Sequence, residues 1–261
     1  MKDMKVNMEK QMFRLDEKIA LITGAATGLG QGISVALARQ GANIAISDKP
    51  EVSLEDTRKK SKCFGHRVFL FEMDVRDMDQ LTQGVELVRK EFGRIDILVN
   101  NAGINHPMEG LKVTEENWDD HFNTNVKGGF FLAQKVAPMM IENGWGRIIF
   151  ISSQSGLVAI PGQPVYCSSK GAVIQAVRTL GVEWAKFGIT VNSIAPTFVE
   201  TNLTRQRLQG EEFRKFVLGK IPVGKLAEVE DIAAAAVYLA SEEAMMVNCH
   251  TLRVDGGWTA G

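Results

Sequence analysis

KIALITGAATGLGQGISVALARQGANIAISD, residues 18–48, decides the architecture. Its opening run, KIALITG at 18–24, is short, rich in branched apolar side chains and followed at once by glycines, as expected of a strand buried on both faces of a parallel sheet. GQGISVALARQG at 30–41 then places apolar residues three and four apart, so that one helical face rests on that sheet. Gly41 suits the left-handed conformation that closes a helix, and NIAISD at 43–48 reads as the next strand. A strand, a helix and a second strand in this order make a parallel βαβ unit.

The alternation continues downstream. RVFLFEMDV at 67–75, DILVNNAG at 96–103, GRIIFISS at 146–153 and TVNSIAP at 190–196 are further apolar runs, separated by helix-compatible stretches. The clearest of those stretches, GAVIQAVRTLGVEWAKFG at 171–188, ends on Gly188. The pattern predicts an α/β protein with one doubly wound parallel sheet and helices on both faces. No internal repeat, low-complexity tract or Pro/Ser-rich linker divides the chain, which predicts a polar extension over 1–13 and a single domain over 14–261. TNLTRQRLQGEEFRKFVLGKIP at 201–222 reads as a charged helical excursion on the surface, able to cover a pocket.

Composition narrows the function classes. With 45% apolar and 23% charged residues the 261-residue chain sits in the globular range, and a net charge of −1 gives no overall field toward nucleic acid or an anionic membrane. No run reaches the roughly 18 apolar residues of a spanning helix, and the charged opening lacks the apolar core of a secretory signal. The expectation is a cytoplasmic protein with a small-molecule substrate. Cys63, Cys167 and Cys249 are scattered, outside any metal-ligand spacing, and read as reduced thiols.

Three constellations carry chemistry. TGAATGLG at 23–30 follows a strand and opens a helix, so Gly24, Gly28 and Gly30 leave room for a pyrophosphate facing the positive helix end. Asp48 closes the second strand, where a carboxylate accepts hydrogen bonds from both ribose hydroxyls of NAD and repels the extra phosphate of NADP; the neighbouring Lys49 works against that repulsion. Ser153, Tyr166 and Lys170 stand in SSQSGLVAIPGQPVYCSSK, with the tyrosine and lysine four apart on one helical face. An ammonium beside a phenol and the positive charge of oxidised nicotinamide both favour the phenolate, so Lys170 tunes Tyr166 as a proton acceptor while Ser153 holds the substrate oxygen. No metal is required, and no other tyrosine, histidine or carboxylate stands in a comparable setting.

Together these motifs resemble the short-chain dehydrogenase/reductase family over residues 14–261, whose fold is of the Rossmann type. The resemblance implies that Gly24, Thr27, Gly28, Leu29 and Gly30 form the cofactor glycine motif, that Asp74 and Val75 contact the adenine, and that Asn101, Ala102 and Gly103 in NNAG line the cofactor beside Tyr166 and Lys170. It also implies that Asn125 completes a catalytic set with Ser153, Tyr166 and Lys170 by holding a helix distortion. In APTFVET at 195–201, Pro196, Val199 and Thr201 match the family's cofactor segment, whereas Thr197 replaces its glycine and puts the local backbone in question. VDGGW at 254–258 also fits.

The chain is most similar to members acting on sugar acids, polyols and keto sugars, such as gluconate and deoxygluconate dehydrogenases. That implies NAD-dependent hydride transfer between nicotinamide and a secondary alcohol or ketone. His106 and Gln154 are candidate substrate contacts, and Arg205 and Arg207 suit a carboxylate only if their segment folds inward. A 3-oxoacyl thioester reductase and a non-catalytic NAD-binding regulator are the competing readings. The resemblance further implies a homo-oligomer, a tetramer, assembled through two long helices and the C-terminal segment.

Overall fold

The apolar run before the first glycines forms β1 (Ile19–Thr23), and each of its side chains is buried. The computed structural model describes residues 11–202 and 204–261. Residues 1–10 of the expected polar extension, and Leu203 of the charged excursion, lie outside the described residues. Of the remainder of the extension, Phe13 sets its ring edge-on to Tyr238 at 6.1 Å.

After β1 come α1 (Gly28–Arg39), β2 (Asn43–Asp48), α2 (Glu55–Lys62) and β3 (Val68–Glu72). Next in the chain are α3 (Met78–Phe92), β4 (Ile97–Asn100), α4 (Glu115–Phe122), α5 (Gly129–Asn143) and β5 (Gly146–Ile151). The last part holds α6 (Pro164–Trp184), β6 (Ile189–Pro196), α7 (Arg205–Leu208), α8 (Glu211–Lys220), α9 (Val229–Ala240) and β7 (Thr251–Val254). The seven strands pair in the order β3-β2-β1-β4-β5-β6-β7, all in parallel, which is the doubly wound Rossmann-type sheet.

Side chains alternate across this sheet, so each face needs its own cover. Ile22, Ile46 and Val99 pack with Ile33 and Leu37 of α1 and with Ile232 and Leu239 of α9. On the opposite face Leu21, Leu98 and Ile148 meet Leu81 and Val85 of α3, Leu132 and Val136 of α5, and Val173 and Val177 of α6. Truncating a buried leucine or isoleucine in such layers costs about 2–5 kcal/mol, so both faces contribute heavily to holding the strand ends in place.

Two departures from the sequence reading concern the strands. MDV at 73–75, NAG at 101–103 and SS at 152–153 continue the apolar runs in sequence but lie beyond the ends of β3, β4 and β5. Strand β7 has no signal in the sequence pattern, because it is a four-residue edge strand with Arg253 exposed and no clean apolar period. The chain runs outward from β1 to β3 and returns to β4 on the other side of β1. Between the carboxyl ends of β1 and β4 lies the crevice in which open α/β sheets bind ligands.

Candidate active site

The crevice is closed at its base by a direct lock between the two central strand ends. The Asn101 amide Nδ2 donates to the carbonyl oxygens of Thr23 and Gly24, each at 2.9 Å. In return the Thr23 hydroxyl accepts from the backbone N–H of Asn101 at 3.2 Å and of Ala102 at 3.1 Å. Thr23 is one of the residues that sequence reasoning passes over; only its place at a strand end signals it.

Two glycines make this approach sterically feasible. A Cβ on Gly24, which has φ of +61°, would lie 2.8 Å from the Ala102 Cα. A Cβ on Gly30 would lie 2.2 Å from the Gly24 carbonyl oxygen and 2.5 Å from the Asn101 Nδ2. Gly24 therefore lets the NNAG loop close on the first loop, and Gly30 lets α1 begin directly behind it.

A cavity of about 450 Å³ opens above the lock. Its wall includes Gly24, Thr27, Gly28 and Leu29 from the first loop, Asp48 after β2, and Asp74 and Val75 after β3. Asn101, Ala102, Gly103 and His106 follow β4, Ser153 follows β5, Tyr166 and Lys170 come from α6, and Pro196, Thr197, Val199 and Thr201 follow β6. Lys49, Arg76, Asp120 and Thr204 join the wall as well. Gly30 sits behind the first loop and Asn125 behind the fourth. Gln154 is buried and does not line the cavity, and neither polar atom of its amide has a hydrogen-bond partner within the chain.

At the mouth over β2, the Asp48 carboxylate accepts from the backbone N–H of Ala26 at 3.0 Å and of Lys49 at 2.9 Å. One lone pair on each oxygen is committed to the backbone and capacity remains on both. Asp74 pairs with Arg76 at 2.7 Å, and that guanidinium holds its carboxyl below the ordinary range. No side chain caps α1 at Thr27, so the positive end of the helix faces the cavity wall uncompensated. These features fit the dinucleotide that the glycine motif implies.

Deeper in, Lys170 and Tyr166 share one turn of α6. The Lys170 Nζ donates to the carbonyl oxygen of Ile151 at 2.9 Å and lies 5.7 Å from the centre of the Tyr166 ring. Burial pushes the Tyr166 phenol up to about 12, against a smaller downward pull from its hydrogen bond with Ser153. Burial likewise pulls the Lys170 ammonium down to about 8. In the chain alone desolvation dominates and both groups are driven toward their neutral forms, without the positive charge of oxidised nicotinamide that the sequence reading counts beside Lys170.

Asn125 sits in a wide π-helical turn, Asn123–Gly128, between α4 and α5. Its Oδ1 accepts from the Ile104 N–H at 2.8 Å, and its Nδ2 donates to the Ile104 carbonyl and to the Ser169 hydroxyl, each at 3.0 Å. The helix distortion implied by the family resemblance is present, and its asparagine ties the NNAG loop to α6. A Cβ on Gly103 would stand 3.2 Å from Asn125 Oδ1 and 3.3 Å from Lys170 Nζ, so the two groups flank one gap.

Around the rim, Thr197 leaves the sheet pairing intact, its N–H donating to the Val254 carbonyl at 3.0 Å. The 201–222 segment is less superficial than its charge suggests. Leu208, Val217 and Ile221 pack with Ile160 and Trp258, while Thr201 and Thr204 face the cavity. Arg205 is exposed, and Arg207 lies half-buried over the Phe213 ring at 4.4 Å.

Comparison with known proteins places this arrangement. A family model described as enoyl-(acyl carrier protein) reductase matches residues 24–259. A 2-dehydro-3-deoxy-D-gluconate 5-dehydrogenase of Dickeya dadantii is 41% identical over 249 residues, covering 95% of this chain and 98% of that one. The chain is a short-chain dehydrogenase/reductase. A 3-oxoacyl-(acyl-carrier-protein) reductase of Thermotoga maritima is 37% identical over 244 residues, covering 94% and 98%. Among solved structures, a gluconate 5-dehydrogenase from Burkholderia cenocepacia in complex with NADP and tartrate superposes with a TM-score of 0.92 at 34% identity, covering 96% and 98%.

As a short-chain dehydrogenase/reductase the chain is an oxidoreductase that acts on CH–OH groups with a nicotinamide cofactor. Among the described residues no helix is long and apolar enough to cross a membrane. The crowding around Gly30 gives a direct test of the cofactor cradle. Gly30→Ala forces the first loop away from α1 at a cost of about 1–3 kcal/mol, so nucleotide affinity should fall roughly ten- to a hundredfold in a fluorescence titration.

Proposed function

We propose that this enzyme interconverts a secondary alcohol and its ketone on a sugar acid, polyol or keto sugar, using NAD in preference to NADP. The observation that carries this reading is the convergence of Ser153, Tyr166 and Lys170 on a cavity that runs to Asp48. The names of the Dickeya and Burkholderia relatives favour a sugar-acid substrate, and that of the Thermotoga relative keeps a 3-oxoacyl thioester as the second reading.

A nicotinamide held beside Tyr166 and Lys170 would supply the hydride chemistry. The protein supplies the proton path and the geometry. Ser153 holds the reacting oxygen by hydrogen bond, and the Tyr166 hydroxyl exchanges a proton with it. With its phenol near 12, Tyr166 is protonated at neutral pH and ready to donate in the direction of ketone reduction. Oxidation needs the phenolate, which the charges of Lys170 and of oxidised nicotinamide both favour. Oxidation rate should therefore climb with rising pH while reduction does not. Asn125 positions the loop against which the substrate rests, and Lys170, fixed to the Ile151 carbonyl, cannot swing away from Tyr166.

The cofactor preference rests on Asp48. Its remaining lone pairs suit the two ribose hydroxyls, and a 2′-phosphate there would meet a like charge. Lys49 on the same rim, and the NADP named in the Burkholderia complex, point the other way. The single domain over 14–261, a cytoplasmic location and a homotetramer complete the proposal. Val182 on α6 and Ile141 on α5 are large apolar side chains left exposed in the isolated chain, Val182 by 72%, as a helix-mediated interface requires.

Three measurements test this reading. Tyr166→Phe should lower turnover at least a hundredfold, in line with the contribution of a positioned proton acceptor, and leave NAD affinity within a few-fold. Asp48→Ala removes charge-assisted bonds of about 1.5–3 kcal/mol, so NAD should weaken ten- to a hundredfold while NADP improves; an unchanged ratio in steady-state kinetics refutes the assignment. Light scattering at micromolar concentration should give the mass of four chains, and a monomer would overturn the assembly.

A further inference from the structure

His121, a residue on α4 that its sequence context does not single out, has no exposed surface and lies beside the proton-transfer group. Its ring stands edge-on to Tyr166 at 6.3 Å and to His106 at 5.8 Å. Both ring nitrogens have partners. Nδ1 lies 2.7 Å from the Asn117 carbonyl oxygen, an acceptor, and Nε2 lies 3.1 Å from the backbone N–H of His106, a donor. One protonation state satisfies both contacts, the neutral ring with its proton on Nδ1.

The same helix turn holds the other side of His106. The Asn117 Nδ2 donates to the His106 carbonyl at 3.1 Å, so both backbone groups of His106 are bound from α4. His106 and Tyr166 share the cavity wall. The short stretch from Gly103 to His106 carries no regular hydrogen bonding of its own, and its shape is set by these side chains and by Asn125 at Ile104. Moving His106 would thus reshape the cavity wall that it shares with Tyr166.

We propose that His121 is a positioning residue, which by accepting the His106 N–H fixes the substrate loop against Tyr166 and releases that loop when its ring gains a second proton. The proposal rests on the reading of Tyr166 as the proton-transfer group. A protonated Nε2 would present a donor to a donor, and the contact would be lost. Burial and the nearby His106 and Lys170 all disfavour the cation, whereas the Asn117 carbonyl and Asp120 favour it; burial is the largest of these. Asp120 in turn faces Arg76 at 3.7 Å. The net direction is downward from the ordinary value of about 6.5, so the loop stays docked at neutral pH. As pH falls below about 6.5 the unfolded or undocked chain takes up a proton that the docked one refuses, and the docked state weakens.

In ketone reduction Tyr166 remains protonated throughout that range, and because Lys170, held down to about 8, also gains charge between pH 8 and 5.5, the comparison of native with His121→Gln is what isolates the effect. The assay uses the ketone that native enzyme reduces fastest in a panel of keto sugar acids and cyclic diones. His121→Gln restores an acceptor that does not titrate and should keep kcat/KM within threefold of native at pH 8, while retaining activity at pH 5.5 where native falls fivefold or more. His121→Leu should lose tenfold or more at pH 8, mainly as a raised ketone KM, with cofactor affinity unchanged. Nitrogen-15 NMR of native protein should show one imidazole with its proton on Nδ1, and a His106 amide protected from exchange in native and His121→Gln but not in His121→Leu. The proposal is overturned if His121→Leu matches native, if His121→Gln keeps the native acid limb, or if the His121 proton sits on Nε2. No turnover with any ketone would sink the enzymatic reading itself, and the NMR arm would still judge the His121–His106 contact.

Discussion

Everything the site does depends on the bond between the ends of β1 and β4. Asn101 reaches across to two successive carbonyls at the end of β1 while Thr23 accepts two amides in return, so the loops after both strands are held as one piece. Buried carbonyls and amides of this kind must be paired or they cost about 1–3 kcal/mol each. Pairing them to a side chain of the opposite strand end, the carbonyls to Asn101 Nδ2 and the amides to the Thr23 hydroxyl, converts that requirement into a fixed distance between the glycine loop and the loop carrying Gly103 and His106. The glycines at 24 and 30 are the steric condition for that closeness.

Much of this is legible in the chain itself. Branched apolar runs with period breaks at glycine specify parallel strands, and their spacing specifies the crossover helices, so β1, α1, β2 and the succession of later strands and helices can be read directly. The overshoot at the ends of β3, β4 and β5 has a physical cause. Met73, Val75 and Ala102 are apolar because they support the cavity floor, and apolarity alone does not tell a strand from the loop that continues it. β7 escapes because an edge strand needs to bury little.

The side chains that are not legible are those whose role comes from a partner distant in sequence. Thr23 is an ordinary strand-end residue until Asn101 is placed beside it. His121 reads as one polar residue on an amphipathic helix, and its function emerges from the carbonyl of Asn117 below it and the amide of His106 above. Gln154 is a case of the same kind: the sequence does not tell that its side chain is buried, with neither polar atom partnered within the chain. The closeness of Lys170 to Tyr166 follows from their spacing of four, whereas the burial that pushes the phenol up and the ammonium down comes from the surrounding fold.

The rim after β6 is built on different terms from the floor. Phe198 lies tilted against Trp258 at 5.7 Å and meets Phe213 edge-on at 5.5 Å, within a small apolar cluster that gathers α7, α8 and the C-terminal turn and is separate from the two layers covering the sheet. Because the cluster packs on itself and not on the sheet, substitutions in it can reshape the segment after β6 without disturbing the two layers that hold the strand ends. Such a division leaves the segment after β6 free to change shape over descent while the strand ends beneath it keep theirs.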